Sequence, residues 1–168
     1  MCSAALGTNA TITRGTSACP TGWNVSNWWG FYVKAEEAGS TVSMAKIGST
    51  SSVTLEYSTD LGSTWSSFDP NGGTTVTLAN ANDLVFFRAG SGGNTKFASN
   101  ASNYMRFVFT SSVSIGGNIM SLLSQTEITE FPGSATYQFA NLFYNATTLK
   151  DASALTLPAT TLASNCYR

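Results

Sequence analysis

Val53-Thr54-Leu55-Glu56-Tyr57-Ser58-Thr59-Asp60-Leu61-Gly62-Ser63-Thr64-Trp65 alternates apolar and polar side chains, then breaks into small, polar and glycine residues. A period of two is the mark of a half-buried strand, so Val53, Leu55 and Tyr57 would face a core and Thr54 and Glu56 water. The break is a turn with a mechanism. The Asp60 carboxylate can accept hydrogen bonds from backbone N–H groups across it, Gly62 supplies a positive φ, and Trp65 packs under the loop.

Working outward, short runs of β-branched and aromatic residues alternate with Gly, Ser, Asn and Asp clusters from 31 to about 115, the spacing of an antiparallel sandwich or barrel. The predicted strands are Gly30 to Glu36, Ser40 to Lys46, Ser52 to Ser58, Thr74 to Leu78, Leu84 to Ala89 and Tyr104 to Thr110. In the last, Met105, Phe107 and Phe109 repeat the alternation. After Gly116-Gly117 the period changes. Asn118 is placed to cap a short helix carrying Ile119, Leu122 and Leu123, and Phe139, Leu142 and Phe143 predict a second at the same spacing. Leu149, Leu155, Leu157 and Leu162 follow too regularly for a loop. A shift of 28 residues lays Gln138-Phe139-Ala140 on Cys166-Tyr167-Arg168, within the period of leucine-rich repeats. The expected organisation is an N-terminal arm at 1–30, a β-sandwich at 31–116, and a leucine-rich-repeat cap with a first repeat at 117–168.

Composition narrows the function. Of 168 residues 42% are apolar, enough for a core, but only 10% are Asp, Glu, Lys or Arg, against roughly 25% in ordinary soluble domains. Hydroxyls and amides wet the surface instead, and few charges need desolvating when two copies meet. The net charge is −1 and the Lys and Arg residues are scattered, so no basic stripe exists for nucleic acid. No window approaches the ~20 apolar residues of a membrane span. Met1-Cys2-Ser3-Ala4-Ala5-Leu6-Gly7 has neither the basic n-region nor the apolar h-region of a secretory signal.

Chemistry-bearing residues are sparse. The sequence has no His, the commonest general base and zinc ligand. Its nine Asp and Glu residues stand in no motif that singles out a catalytic pair, and neither the turn 69–73 nor 80–83 has a calcium-loop spacing. No catalytic residue, cofactor or metal site is therefore predicted. Cys2 and Cys19 could close one loop, and Cys166 reads as a buried thiol acting as a small hydrophobe. Trp23, Trp28, Trp29, Phe31 and Tyr32 form an aromatic cluster at the end of the arm. Such rings can pack on the chain's own sandwich, anchor a neighbouring subunit or stack on sugar. Asn9, Asn24, Asn100 and Asn145 head Asn-x-Ser/Thr triplets, which matter only in a host that glycosylates.

Two resemblances follow from these residues. Ser58, Asp60, Gly62 and Trp65 resemble the Asp-box hairpin of sialidases and other extracellular β proteins, where it locks a hairpin and does no chemistry. A sialidase would need several such boxes, a nucleophilic Tyr and an arginine cluster; the sandwich holds Arg88 and Arg106. On a larger scale, Ala35-Glu36-Glu37-Ala38-Gly39-Ser40-Thr41-Val42, Val53 through Trp65, Leu84-Val85-Phe86-Phe87-Arg88 and Gly117-Asn118-Ile119-Met120-Ser121-Leu122-Leu123 resemble BspA-type leucine-rich-repeat proteins of gut bacteria and their phages. So does Leu157-Pro158-Ala159-Thr160-Thr161-Leu162-Ala163-Ser164-Asn165-Cys166-Tyr167. The resemblance covers about 31–168 and implies a mainly β fold: an antiparallel, Ig-like β-sandwich capping the start of a leucine-rich-repeat array with short helices. The chain ends where the next helix of a repeat would begin, as expected of a piece of a longer protein.

The expected role is a non-enzymatic structural or binding protein. A phage virion appendage is favoured, as a head fibre, decoration or tail component attached by the arm. The alternative is a bacterial cell-surface adhesin or extracellular filament subunit. Expected partners are the chain itself as a homo-oligomer, with a trimer suited to a fibre, and capsid, tail or surface proteins, with a glycan receptor open.

Overall fold

In the computed structural model, which describes residues 2–3, 24–25, 30–50, 52–133 and 135–168, the chain is mainly β. Cys2–Ser3 (β1) pairs antiparallel with Asn24–Val25 (β2). Then come β3 (Phe31–Ala35), β4 (Ser40–Ile47), β5 (Leu55–Ser58), β6 (Ser66–Phe68), β7 (Val76–Leu78) and β8 (Leu84–Ala89). They are followed by β9 (Ala98–Asn100), β10 (Asn103–Phe109), β11 (Val113–Asn118) and β12 (Leu149–Thr156). One sheet has the order β7-β4-β10-β9, the other β12-β11-β3-β8-β5-β6. Every pair among the described residues is antiparallel except β11 with β12, which run parallel. A parallel pair needs a long crossover, and residues 119–148 provide it.

Alternation decides what each sheet buries. Phe31, Val33 and Ala35 of β3 are fully buried while Tyr32 and Lys34 between them are not, and Met105, Phe107 and Phe109 of β10 do the same in the facing sheet. The core between the sheets is aromatic. Phe107 lies 5.4 Å from Phe31 and 5.3 Å edge-on to Phe87, and Phe68 meets Phe87 edge-on at 5.2 Å.

Residues beyond 116 pack on that same core: Ile119, Met120, Leu122, Leu123, Phe139 and Leu142 are all buried in it. The boundary expected at 116/117 falls inside β11. The crossover begins with a 3-10 turn, Ile119–Leu122, capped by Asn118, whose side chain accepts from the Met120 N–H at 2.9 Å. Buried Ser121 ties this turn to both neighbouring strands, accepting from the Phe31 N–H at 2.7 Å and donating to the Phe87 carbonyl at 3.0 Å.

Two sequence expectations need correction. The second helix, predicted at Phe139, Leu142 and Phe143, is a succession of single turns: the N–H groups of Leu142, Tyr144 and Ala146 donate to Phe139, Asn141 and Phe143 three residues back. Asn141 and Asn145 have φ of 59° and 60°, left-handed positions that no right-handed helix runs through. The sequence pattern does not mark β1, β2, β6, β9, β11 or β12 as strands. Three-residue β6 and β9 are too short for a pattern, Gly116-Gly117 in β11 reads as a breaker, and the leucines of β12 read as repeat positions.

Candidate functional site

Three places are candidates. The first is the hairpin between β5 and β6. Asp60 accepts from the Thr64 N–H at 2.9 Å, from the Thr64 hydroxyl at 2.6 Å and from the Ser58 hydroxyl at 2.6 Å. Ser58 Oγ in turn accepts from the Gly62 N–H at 2.8 Å. These bonds to the anion hold the Asp60 carboxyl down to about 2, the Ser58 and Thr64 hydroxyls contributing most. Leu61 and Gly62 both have positive φ, and Trp65 Nε1 donates to the Gly62 carbonyl at 3.0 Å. Sequence reasoning missed the next layer. The Arg88 guanidinium lies 4.0 Å over the Trp65 ring and pairs with Glu56 at 2.7 Å. Gln125, from the crossover, donates to both Glu56 and the Ala89 carbonyl. No local motif announces a cluster drawn from β5, β8, the hairpin and the crossover. Its polar groups satisfy one another, and the arrangement braces a hairpin.

The second place is the aromatic cluster. Trp23, Trp28 and Trp29 lie outside the described residues, as does Cys19, so the Cys2–Cys19 pairing does too. Phe31 is a core residue: it is 0% exposed, its ring meets those of Phe87, Phe107 and Phe143, and it presents nothing to a partner. Its place among the anchors is corrected by strand alternation, which sends it inward. Tyr32 points to the opposite face, half-buried and edge-on to Phe86 at 5.8 Å, and burial pushes its phenol up. Gly116 sits beside it, where any Cβ would collide with the Tyr32 ring.

The third place is the end of the six-stranded sheet. The outer strand β12 is eight residues long and exposed along most of its length, whereas the other outer strands of the two sheets, β6, β7 and β9, have three each. Beside it runs an open groove of about 370 Å³ lined by Ile119, Phe139, Leu142, Leu155, Leu157 and Tyr167, among others. Tyr144 and Leu157, two of the three large apolar side chains exposed among the described residues, border this groove, and the third is Leu162.

Under the groove the chain stacks on itself. The N–H groups of Tyr137, Phe139 and Asn141 donate to the carbonyls of Ser164, Cys166 and Arg168 at 3.1, 2.8 and 2.8 Å. The rings follow the same column, Phe97 on Phe139 at 5.8 Å and Phe139 on Tyr167 at 5.9 Å. Tyr137 and Asn165, related by the 28-residue shift, have matching φ of 62° and 59°. Cys166 is a free, buried thiol within this stack.

Among the described residues no group of three or more His, Cys, Asp or Glu side chains could hold a metal ion, and no helix is long and apolar enough to cross a membrane. Family models, curated proteins and solved structures yield no match to this chain.

Proposed function

We propose that this protein is a non-enzymatic structural and binding module, an Ig-like β-sandwich opening a leucine-rich-repeat array, displayed on a phage virion and attached through residues 1–30. The observation that carries the reading is the stacked end of the molecule. The backbone ladder from 137–141 to 164–168 and the ring column Phe97-Phe139-Tyr167, beside the parallel pair β11 and β12, support the reading, since successive coils of a repeat would stack in this way. The sandwich then plays the part of the terminal unit, covering the inner end of the stack with its own core. A surface of hydroxyls and amides with 10% charged residues suits a protein that packs against copies of itself.

Attachment by the arm is testable. Trp28→Ala with Trp29→Ala is expected to reduce incorporation into virions while the sandwich stays folded by circular dichroism; undiminished incorporation overturns the role given to the arm. The native assembly state, from mass photometry of the untagged protein and negative-stain microscopy of source particles, decides the setting. Discrete oligomers on virions support an appendage. A cell-borne filament or a monomer favours the bacterial surface protein, to be followed on a glycan array.

A further inference from the structure

The stretch 157–163 follows β12 directly, and its first residue, Leu157, forms part of the groove wall. Residues 157–162 make no backbone–backbone hydrogen bond to other described residues. Their polar attachment is to one side chain on the crossover. The Glu130 carboxylate accepts from the Thr161 N–H at 3.0 Å, the Thr160 N–H at 3.3 Å and the Thr160 hydroxyl at 2.5 Å. Apolar support is slight, with Ala159 partly packed on the core while Leu157 and Leu162 are 49% and 61% exposed.

We propose that residues 157–162 are an acid-releasable strap, its first residue Leu157 in the groove wall, held shut by the ionised carboxylate of Glu130. A carboxylate is acceptor-only and can take all three donors at once; protonated, it gains a donor and loses acceptor capacity facing two N–H groups and a hydroxyl. The same three bonds hold the Glu130 carboxyl below the usual range, the Thr160 hydroxyl contributing most. With the folded value lowered, the hold is complete above the ordinary carboxylate range and is lost as pH falls below it. Few other groups titrate against Glu130. Among the described residues no cation pairs with it, Glu127 lies upstream on the same loop, and the facing Tyr167 phenol, pushed up to about 12 chiefly by burial, stays neutral throughout the window. The consequence is a groove whose wall loosens in acid while the sandwich stays closed.

The test is amide exchange and ¹H–¹⁵N NMR of the whole chain, wild type and Glu130→Gln, from pH 7 to pH 3. In wild type the Thr160 and Thr161 amide resonances should titrate together below the ordinary glutamate range and lose protection, corrected for intrinsic rates, by about tenfold. In Glu130→Gln that loss should be present at pH 7 and the titration absent, with the Phe139 and Leu142 amides unchanged in both. Thr160→Val, which keeps the two N–H bonds, should fall between. Equal protection of Thr160 and Thr161 in wild type and Glu130→Gln at pH 7 overturns the proposal. So does a wild-type loss that occurs only together with Phe139 and Leu142, because acid would then be unfolding the core and not releasing a strap.

Discussion

Asp60 gathers two hydroxyls and a backbone N–H around one carboxylate, and Asn in its place would keep the shape but offer a single acceptor oxygen. Asp60→Asn should cost about 1 kcal/mol, the net worth of one hydrogen bond, read as a lower midpoint in urea unfolding with an unchanged slope. A slope change instead would mean that the hairpin is organised in the unfolded chain as well. Because the folded value of about 2 lies below the ordinary 3.8, this contribution is full above the ordinary value and fades as pH falls through about 2. The wild-type advantage over Asp60→Asn should therefore hold at pH 7 and shrink towards pH 2. Ser121 is the counterpart in the core. Ser121→Ala leaves the Phe31 N–H buried without its partner and should cost about 1–3 kcal/mol, whereas a loss near zero would place water at that site. Asp60 stands out in the sequence because a local spacing determines its role; Ser121 does not, because its partners are 90 and 34 residues away.

At the scale of elements, strands are readable where one face is buried and the other wet, as in β3, β4 and β10, or where a run is largely apolar, as in β8, and hidden where neither holds. β12 shows why: pairing on one side only, and exposed along most of its length, it needs no apolar face to form once β11 is in place beside it. The turns after Phe139 illustrate the opposite error. Apolar residues at helical spacing are what a buried helix needs, but Phe139 and the pair Leu142-Phe143 reach the same core from either side of left-handed Asn141, with left-handed Asn145 closing the next turn. Both Asn141→Gly and Asn141→Val lose the exposed bond from the Asn141 side chain to the Ala101 carbonyl, but Asn141→Val should be further destabilised by about 1–2 kcal/mol, since a β-branched residue is strained at positive φ. Thermal unfolding of the two variants checks this, and equal midpoints would contradict it. Gly117 is more demanding still. Its φ is 76° and a Cβ would run into the Gly30 carbonyl, so Gly117→Ala should lower the midpoint further than Asn141→Val.

Taken whole, the described molecule shares one main core from β3 to Leu142, so the two sheets and the stacked segment should not unfold separately. The expected outcome is a single thermal transition, coincident by far-ultraviolet dichroism and tryptophan fluorescence; two transitions, or a folded 30–116 fragment, would contradict it. The amino-acid sequence by itself determined the β class, the inward residues of the strands that alternate, the Asp60 turn, the Asn118 cap and the 28-residue echo, because each depends on residues near one another along the chain. Tertiary structure alone decided that Phe31 is core and not anchor, that 139–145 turns without becoming a helix, and that Glu56, Trp65, Arg88 and Gln125 meet. It alone also joined β12 to β11 in parallel and brought Glu130 to Thr160 and Thr161. These depend on which surfaces a closed core leaves facing each other, and no local period along a chain encodes a contact made twenty or more residues away.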